Sequence, residues 1–186
     1  LLLRWILGWF IQPQLKALPH DSAWAEVAVI IPARNEENSL PILLTSLQTS
    51  TLQPKEIIVI DDHSTDNTYQ VATSFGVKVI KSKELPLVWT GKTFALSQGV
   101  ENTTSPVLLF LDADTKPSQD LITKLVAVLN KNGGLVSVQP FHFMQSLYER
   151  FASVFNLVGA IGARLGETNG LAFGPVMMLK RQDLER

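Results

Sequence analysis

Short runs of consecutive apolar residues alternate along this chain with segments whose apolar positions recur every three or four residues. "VAVII" (27–31), "EIIVI" (56–60), "VKVI" (77–80), "VLLFL" (107–111) and "LVSVQP" (135–140) predict strands, the apolar ones buried on both faces. "NSLPILLTSLQTS" puts Leu40, Leu43, Leu44 and Leu47 on one helical face, with Asn38 as the expected cap and Pro41 in the first turn. "TDNTYQVATSFG" predicts a helix capped by Asp66 and stopped by Gly76, and "GKTFALSQGVEN" predicts a third helix. "KPSQDLITKLVAVLNKNGG" predicts a fourth, opened by Pro117 and closed by Gly133. Strands and helices in this order imply an α/β fold: a Rossmann-like, mostly parallel sheet with helices on both faces.

Two more apolar stretches lie outside that alternation. Residues 1–18 open with "LLLRWILGWFI", broken by Arg4 and stopped by Pro13, which is shorter than the about 20 residues a bilayer span requires. We read this segment as an apolar helix that anchors the protein to a membrane, with Trp5, Trp9 and Lys16 near the interface. The alternative is an amphipathic helix packed on the domain. "SLYERFASVFNLVGAIGARLG" (146–166) predicts a helix without charge between Arg150 and Arg164, either core or a surface lying on membrane or on a hydrophobic acceptor. The chain starts on Leu and stops on "LKRQDLER", so it reads as a fragment: an anchor at 1–18 and a domain at 26–186 that is incomplete at its C-terminus.

Composition narrows the function. A length of 186 residues suits one domain with a sizeable core, and a formal net charge of -1 gives no surface for nucleic acid. The absence of Cys removes disulfides and thiolate metal sites, and fits a reducing compartment.

Open parallel sheets bind ligands at the carboxyl ends of their strands, and here those ends carry polar clusters: "PARNEE" (32–37), "DDHSTD" (61–66) and "DAD" (112–114). No G-x-G-x-x-G follows a strand, and "GKT" (91–93) lacks the phosphate-loop glycine, since Pro86 stands at that position. Asp112 and Asp114, two apart on an extended segment, are expected to point the same way and converge on one hard cation, Mn2+ or Mg2+. The alternative has Asp114 capping the next helix and Asp112 bonding local amides. In "DDHSTD", Ser64, Thr65 and Asp66 suit a turn and a cap, which leaves Asp61 and Asp62 to accept from a nucleobase imide or a ribose hydroxyl. His63 reads as a turn residue, and Arg34, Glu36 and Glu37 offer charge beside the first strand. "GLAFGPVMMLKRQDL" (170–184) is either a core strand and turn or an acceptor contact, with Gly170 and Gly174 allowing close approach.

Taken together, "AVIIPARNEENSLPILLTSL", "EIIVIDDHSTDNT", "GKTFALSQGV" and "VLLFLDADTKP" resemble the successive blocks of family-2 glycosyltransferases, which have the GT-A fold. "SVQPFHFMQSLYERFASVFNLV" and "TNGLAFGPVMM" are similar to the subgroup that glycosylates carotenoid acids and to its hopanoid-associated relatives. The resemblance implies an inverting transfer from a nucleotide-sugar, expected to be a UDP-sugar, to a lipid-like acceptor at the cytoplasmic face of the cell membrane. It implies that Pro32, Ala33 and Glu36 line the nucleobase and ribose pocket and that Asp62 bonds the uracil imide. Lys92 would sit by the base or the diphosphate, Asp112 by the ribose or sugar, and Asp114 would ligate Mn2+ or Mg2+. The family's later acidic base and its Gln-x-x-Arg-Trp element have no match here, so the base is expected beyond Arg186. A sugar nucleotidyltransferase is the nearest enzymatic rival, but its Gly-rich loop is missing from "IPARNEE"; a non-catalytic nucleotide-binding or membrane module is the rival from another class.

Overall fold

The structure is a computed structural model that describes residues 26–87, 89–138 and 174–184. Its strands are β1 (Val27–Ala33), β2 (Glu56–Asp61), β3 (Lys78–Lys81), β4 (Val107–Leu111), β5 (Val136–Ser137) and β6 (Val176–Lys180). Its helices are α1 (Leu40–Gln48), α2 (Thr68–Ser74), α3 (Gly91–Glu101), α4 (Leu121–Asn132) and the short α5 (Arg181–Leu184). The strands form one sheet in the order β3-β2-β1-β4-β6-β5. The β1–β2, β2–β3 and β1–β4 pairs are parallel, whereas β6 runs antiparallel to both β4 and β5. The order reverses at β1, where the chain first builds outward through β2 and β3 and then returns to add β4 on the other side. A crevice opens at such a switch point.

Side-chain alternation along β1 divides the core in two. Val27, Val29, Ile31 and Ala33 join the α1 leucines (Leu40, Leu43, Leu44 and Leu47) and Ile122, Leu125 and Leu129 of α4 on one face. Ala28 and Ile30 join Ile58, Ile60, Leu108 and Ala95 of α3 on the other. Both faces being covered explains why these strands read as unbroken apolar runs. α3 lies close on the sheet because Gly99 has no side chain: a Cβ there would come within 2.3 Å of Ile30 Cγ2.

The element boundaries correct several expectations. β1 and β2 run on to Ala33 and Asp61, so the polar clusters begin within the last strand residues. α1 starts from Ser39 rather than Asn38; Ser39 Oγ donates to Glu36 Oε2 (2.7 Å) and accepts no helix amide. α4 opens at Leu121 rather than at Pro117, after Asp120. The Gln119 carbonyl is held by the Thr51 amide (2.8 Å), which fixes this approach outside the helix. Gly76 (φ +70) and Gly133 (φ +66) stand at helix ends in the left-handed region, as expected. β5 is a two-residue strand, shorter than the expected 135–140; residues 139–140 are outside the described part, as are 1–18 and 146–166. Residues 176–180 of the "GLAFGPVMMLKRQDL" stretch form β6, the core-strand alternative. Among the described residues no helix is long and apolar enough to cross a membrane.

Candidate functional site

The loops after β1 and β2 are laced together. Asn35 amide donates to Ser64 Oγ (3.0 Å), and Asn35 Oδ1 accepts from Thr65 amide (2.8 Å) and hydroxyl (3.2 Å). Glu36 amide donates to Thr68 Oγ1 (2.8 Å) and Glu37 amide to Asp66 Oδ2 (3.2 Å). Glu37 Oε2 accepts from Asn67 amide (3.0 Å) and Nδ2 (2.9 Å). Much of "PARNEE" and "DDHSTD" is therefore occupied in holding two loops in register. Asp66 does not cap α2 as its flanking residue, a position taken by Asn67, but its Oδ1 accepts from Thr68 amide (3.0 Å) and hydroxyl (2.5 Å). Burial alone would raise the Asp66 pKa; the Thr68 hydroxyl and the Thr68 and Glu37 amides outweigh it and hold the carboxyl below its ordinary 3.8.

Asp61, expected to be left for a ligand, is buried, and its Oδ1 accepts from the Ser64 amide (3.3 Å) three residues on. Glu36 is half-buried and engaged by Ser39. Ala33 is a core residue whose carbonyl accepts the Asp62 amide (2.8 Å), so it bears on the site by placing Asp62. Pro32 is half-buried on the same strand end.

What the lacing leaves over is Asp62, and α3 comes to it. Thr90 is extended (ψ 148) and turns the chain into α3 at Gly91. A Cβ on Gly91 would stand 3.0 Å from Asp62 Oδ2, so the bare glycine permits this approach. The other oxygen, Oδ1, lies 3.2 Å from His63 Nδ1. One residue into the helix, Lys92 Nζ lies 2.6 Å from Asp112 Oδ1 at the end of β4. The first turn of α3 thus gathers Asp62 and Asp112 from two strand ends around its positive pole, where anionic groups are favoured.

The two acids of "DAD" separate. Asp112 to Thr115 is a turn rather than an extended segment, closed by Thr115 amide (3.1 Å) and hydroxyl (2.7 Å) donating to Asp112 carbonyl. A turn thus replaces the extended backbone from which convergence was expected, and Asp114 is not the helix cap, since Asp120 precedes α4. Lys124, with Ser118, instead holds the Asp120 carboxyl below its ordinary pKa. Asp112 is half-buried against Lys92, whereas Asp114 is exposed with no protein partner among the described residues. No group of three or more His, Asp or Glu side chains assembles among the described residues. That donor set suits a hard cation that takes most of its oxygens from a bound diphosphate and water.

Sequence reasoning missed three parts of this arrangement. The Gly91 approach depends on how the strand order folds α3 back, which no local pattern states, and the His63 contact depends on the positive φ of His63 (59). The lacing had one signal, Asn35, whose φ of 57 is a conformation Asn tolerates well.

Residues 28–185 match the family profile described as Glycosyl transferase family 2. The chain is 37% identical over 180 residues to 4,4'-diaponeurosporenoate glycosyltransferase of Staphylococcus aureus (strain bovine RF122 / ET3-1), covering 91% of this chain and 48% of the relative. The Staphylococcus haemolyticus protein of the same name is 36% identical over 168 residues, covering 84% of this chain and 44% of the relative. The chain thus spans about half the length of these relatives. Among solved structures it is similar to glucosyl-3-phosphoglycerate synthase from Mycobacterium tuberculosis in complex with Mn2+, UDP and glucosyl-3-phosphoglycerate. The TM-score is 0.64 at 26% identity, over 86% of this chain and 58% of that one. A complex of the same enzyme with Mn2+, UDP and phosphoglyceric acid gives a TM-score of 0.61. These neighbours share the GT-A architecture that the sheet order builds here, and the profile covers most of the sequence: the chain belongs to glycosyl transferase family 2.

Proposed function

We propose that the chain is the donor-binding part of an inverting glycosyltransferase that moves a sugar from a UDP-sugar to a lipid-like acceptor such as a carotenoid acid or a hopanoid. The observation that carries this reading is the gathering of Asp62, Lys92 and Asp112 around the first turn of α3, with Asp114, exposed and without a protein partner among the described residues, two positions after Asp112. In it Asp62 accepts from the uracil imide, Asp112 faces ribose or sugar, and Lys92 neutralises the diphosphate. Asp114 would hold Mn2+ or Mg2+, which when bound supplies Lewis-acid stabilisation of the leaving diphosphate. The solved neighbours bound to Mn2+ and UDP support the metal and the nucleotide, and the diaponeurosporenoate relatives support the acceptor class. We assign no catalytic base to the described residues.

A membrane surface is part of the same reading. Leu85, Leu87 and Trp89 are exposed on the connection leading into α3, beside Lys92. Lipid-soluble acceptors would arrive from such a surface.

Calorimetry with UDP, GDP and dTDP, each with and without Mn2+, tests the donor site. UDP is expected to bind most tightly and to need the metal, and Asp114→Asn to remove the metal-dependent part. Equal affinity for the three nucleotides, or metal-dependent binding unchanged in Asp114→Asn, would overturn the reading.

A further inference from the structure

His63 Nδ1 lies 3.2 Å from Asp62 Oδ1. Side chains of neighbouring residues on an extended chain point to opposite sides, so contact between positions 62 and 63 needs a special backbone. His63 supplies it: its φ is +59, the left-handed region, which turns its ring back toward Asp62. An ionised carboxylate only accepts hydrogen bonds, so at 3.2 Å it is His63 Nδ1 that carries the proton and donates to Asp62 Oδ1. On the other side Oδ2 faces the bare backbone of Gly91, and the Asp62 amide is tied to Ala33 carbonyl at 2.8 Å. The backbone of Asp62 is thus set by the Ala33 carbonyl and its carboxylate is contacted by the His63 imidazole, while the side chain remains 17% exposed.

We propose that His63 is a positioning residue for nucleotide recognition: its Nδ1–H fixes the orientation in which Asp62 meets the base. The proposal rests on the reading of Asp62 as the base contact. His63 itself is half-exposed and need not touch the nucleotide. Its role differs from that of a turn former, because a turn former is replaceable by any residue that accepts a left-handed backbone.

Substitutions separate the two roles. Glycine and asparagine both accept φ near +60, but only asparagine places an N–H donor, Nδ2, at the position of the imidazole Nδ1. With Mn2+ present, His63→Gly is expected to weaken UDP by about tenfold, the scale of one charge-assisted hydrogen bond. His63→Asn is expected to bind within about twofold of the parent, in line with a retained hydrogen bond. Inorganic pyrophosphate, which has no base, is expected to bind all three proteins alike, and urea unfolding checks that each is folded. The proposal is overturned if His63→Gly binds UDP like the parent, if His63→Asn is as weak as His63→Gly, or if pyrophosphate weakens in step. Asp62→Ala tells this failure from a deeper one. If Asp62→Ala leaves UDP affinity intact, the base-contact reading falls and the positioning role with it. If Asp62→Ala weakens UDP and His63→Gly does not, the positioning role alone falls.

Discussion

Lys92 Nζ, in the first turn of α3, stands 2.6 Å from Asp112 Oδ1 at the end of β4, joining the two sides of the switch point across the sheet's carboxyl edge. Both side chains are partly exposed, 48% and 24%, so water screens the pair and its share of stability is small. A site role and a fold role then give different outcomes. Lys92→Ala is expected to change unfolding stability by less than about 1 kcal/mol, the range for exposed pairs. UDP affinity is expected to fall by about tenfold, as for loss of a hydrogen bond to a charged group. Urea unfolding and calorimetry on the same protein decide it; a stability loss with UDP affinity unchanged would make the pair structural.

Gly91 meets Asp62 from the other side. A methyl there would stand 3.0 Å from Oδ2, closer than side chains ordinarily pack, so the carboxylate has to give way by a few tenths of an ångström. Alanine is the better helix former by up to about 1 kcal/mol, so Gly91→Ala should be no less stable than the parent. Its UDP affinity should nevertheless fall severalfold. A more stable protein with weaker nucleotide binding is the signature to look for; unchanged binding would mean that the Asp62 orientation is not critical.

The strands and most helices were legible because burial on both faces demands unbroken apolar runs, and β4 matched its predicted range of 107–111. The polar clusters were harder to read. A strand-end acid looks the same in sequence whether it faces a ligand or a neighbouring loop. Asp61 and Glu37 turned to loops, bonding the Ser64 amide and Asn67, while Asp62 was left beside α3. Asp112 and Asp114 are two apart, but a turn closed by Thr115 cancels the alternation that spacing alone suggests. The short β5 and the antiparallel β6 follow from the pairing partners available at that edge, information that lies far away in the sequence.

Gly99 carries the seat of α3 on the sheet. Its missing Cβ is the space occupied by Ile30 Cγ2, at 2.3 Å, and Ile30 is fully buried at the centre of β1. Neither the strand nor the helix can yield without disturbing the pairing of β1 with β2 and β4. Helix propensity favours alanine here, but overpacking of a tight core typically costs about 1–3 kcal/mol and dominates. Gly99→Ala is expected to lower the urea midpoint accordingly. Ile30→Ala removes the Cγ2 methyl that the new Cβ would strike, so Gly99→Ala combined with it is expected to lose less stability than the sum of the two single variants. If the single variant is as stable as the parent, α3 is free to lift from the sheet, and the placement of Lys92 would not depend on this contact.

The lacing between the β1 and β2 loops has its own pH signature. Asp66 accepts from Thr68 hydroxyl and amide and from Glu37 amide, and its folded-state pKa lies below 3.8. A lowered carboxylate pKa means that folding favours the ionised form, so its contribution is fully present above the unfolded value, about 3.9. That contribution fades as pH falls through the lower folded value. Asp66→Asn keeps one acceptor oxygen but cannot ionise, so it should be less stable than the parent at pH 6, with the gap narrowing as pH falls below about 4. Urea midpoints of both proteins from pH 7 down to pH 3 provide the measurement. A gap that stays constant over that range would show that the charge on Asp66 is not what holds the loops together.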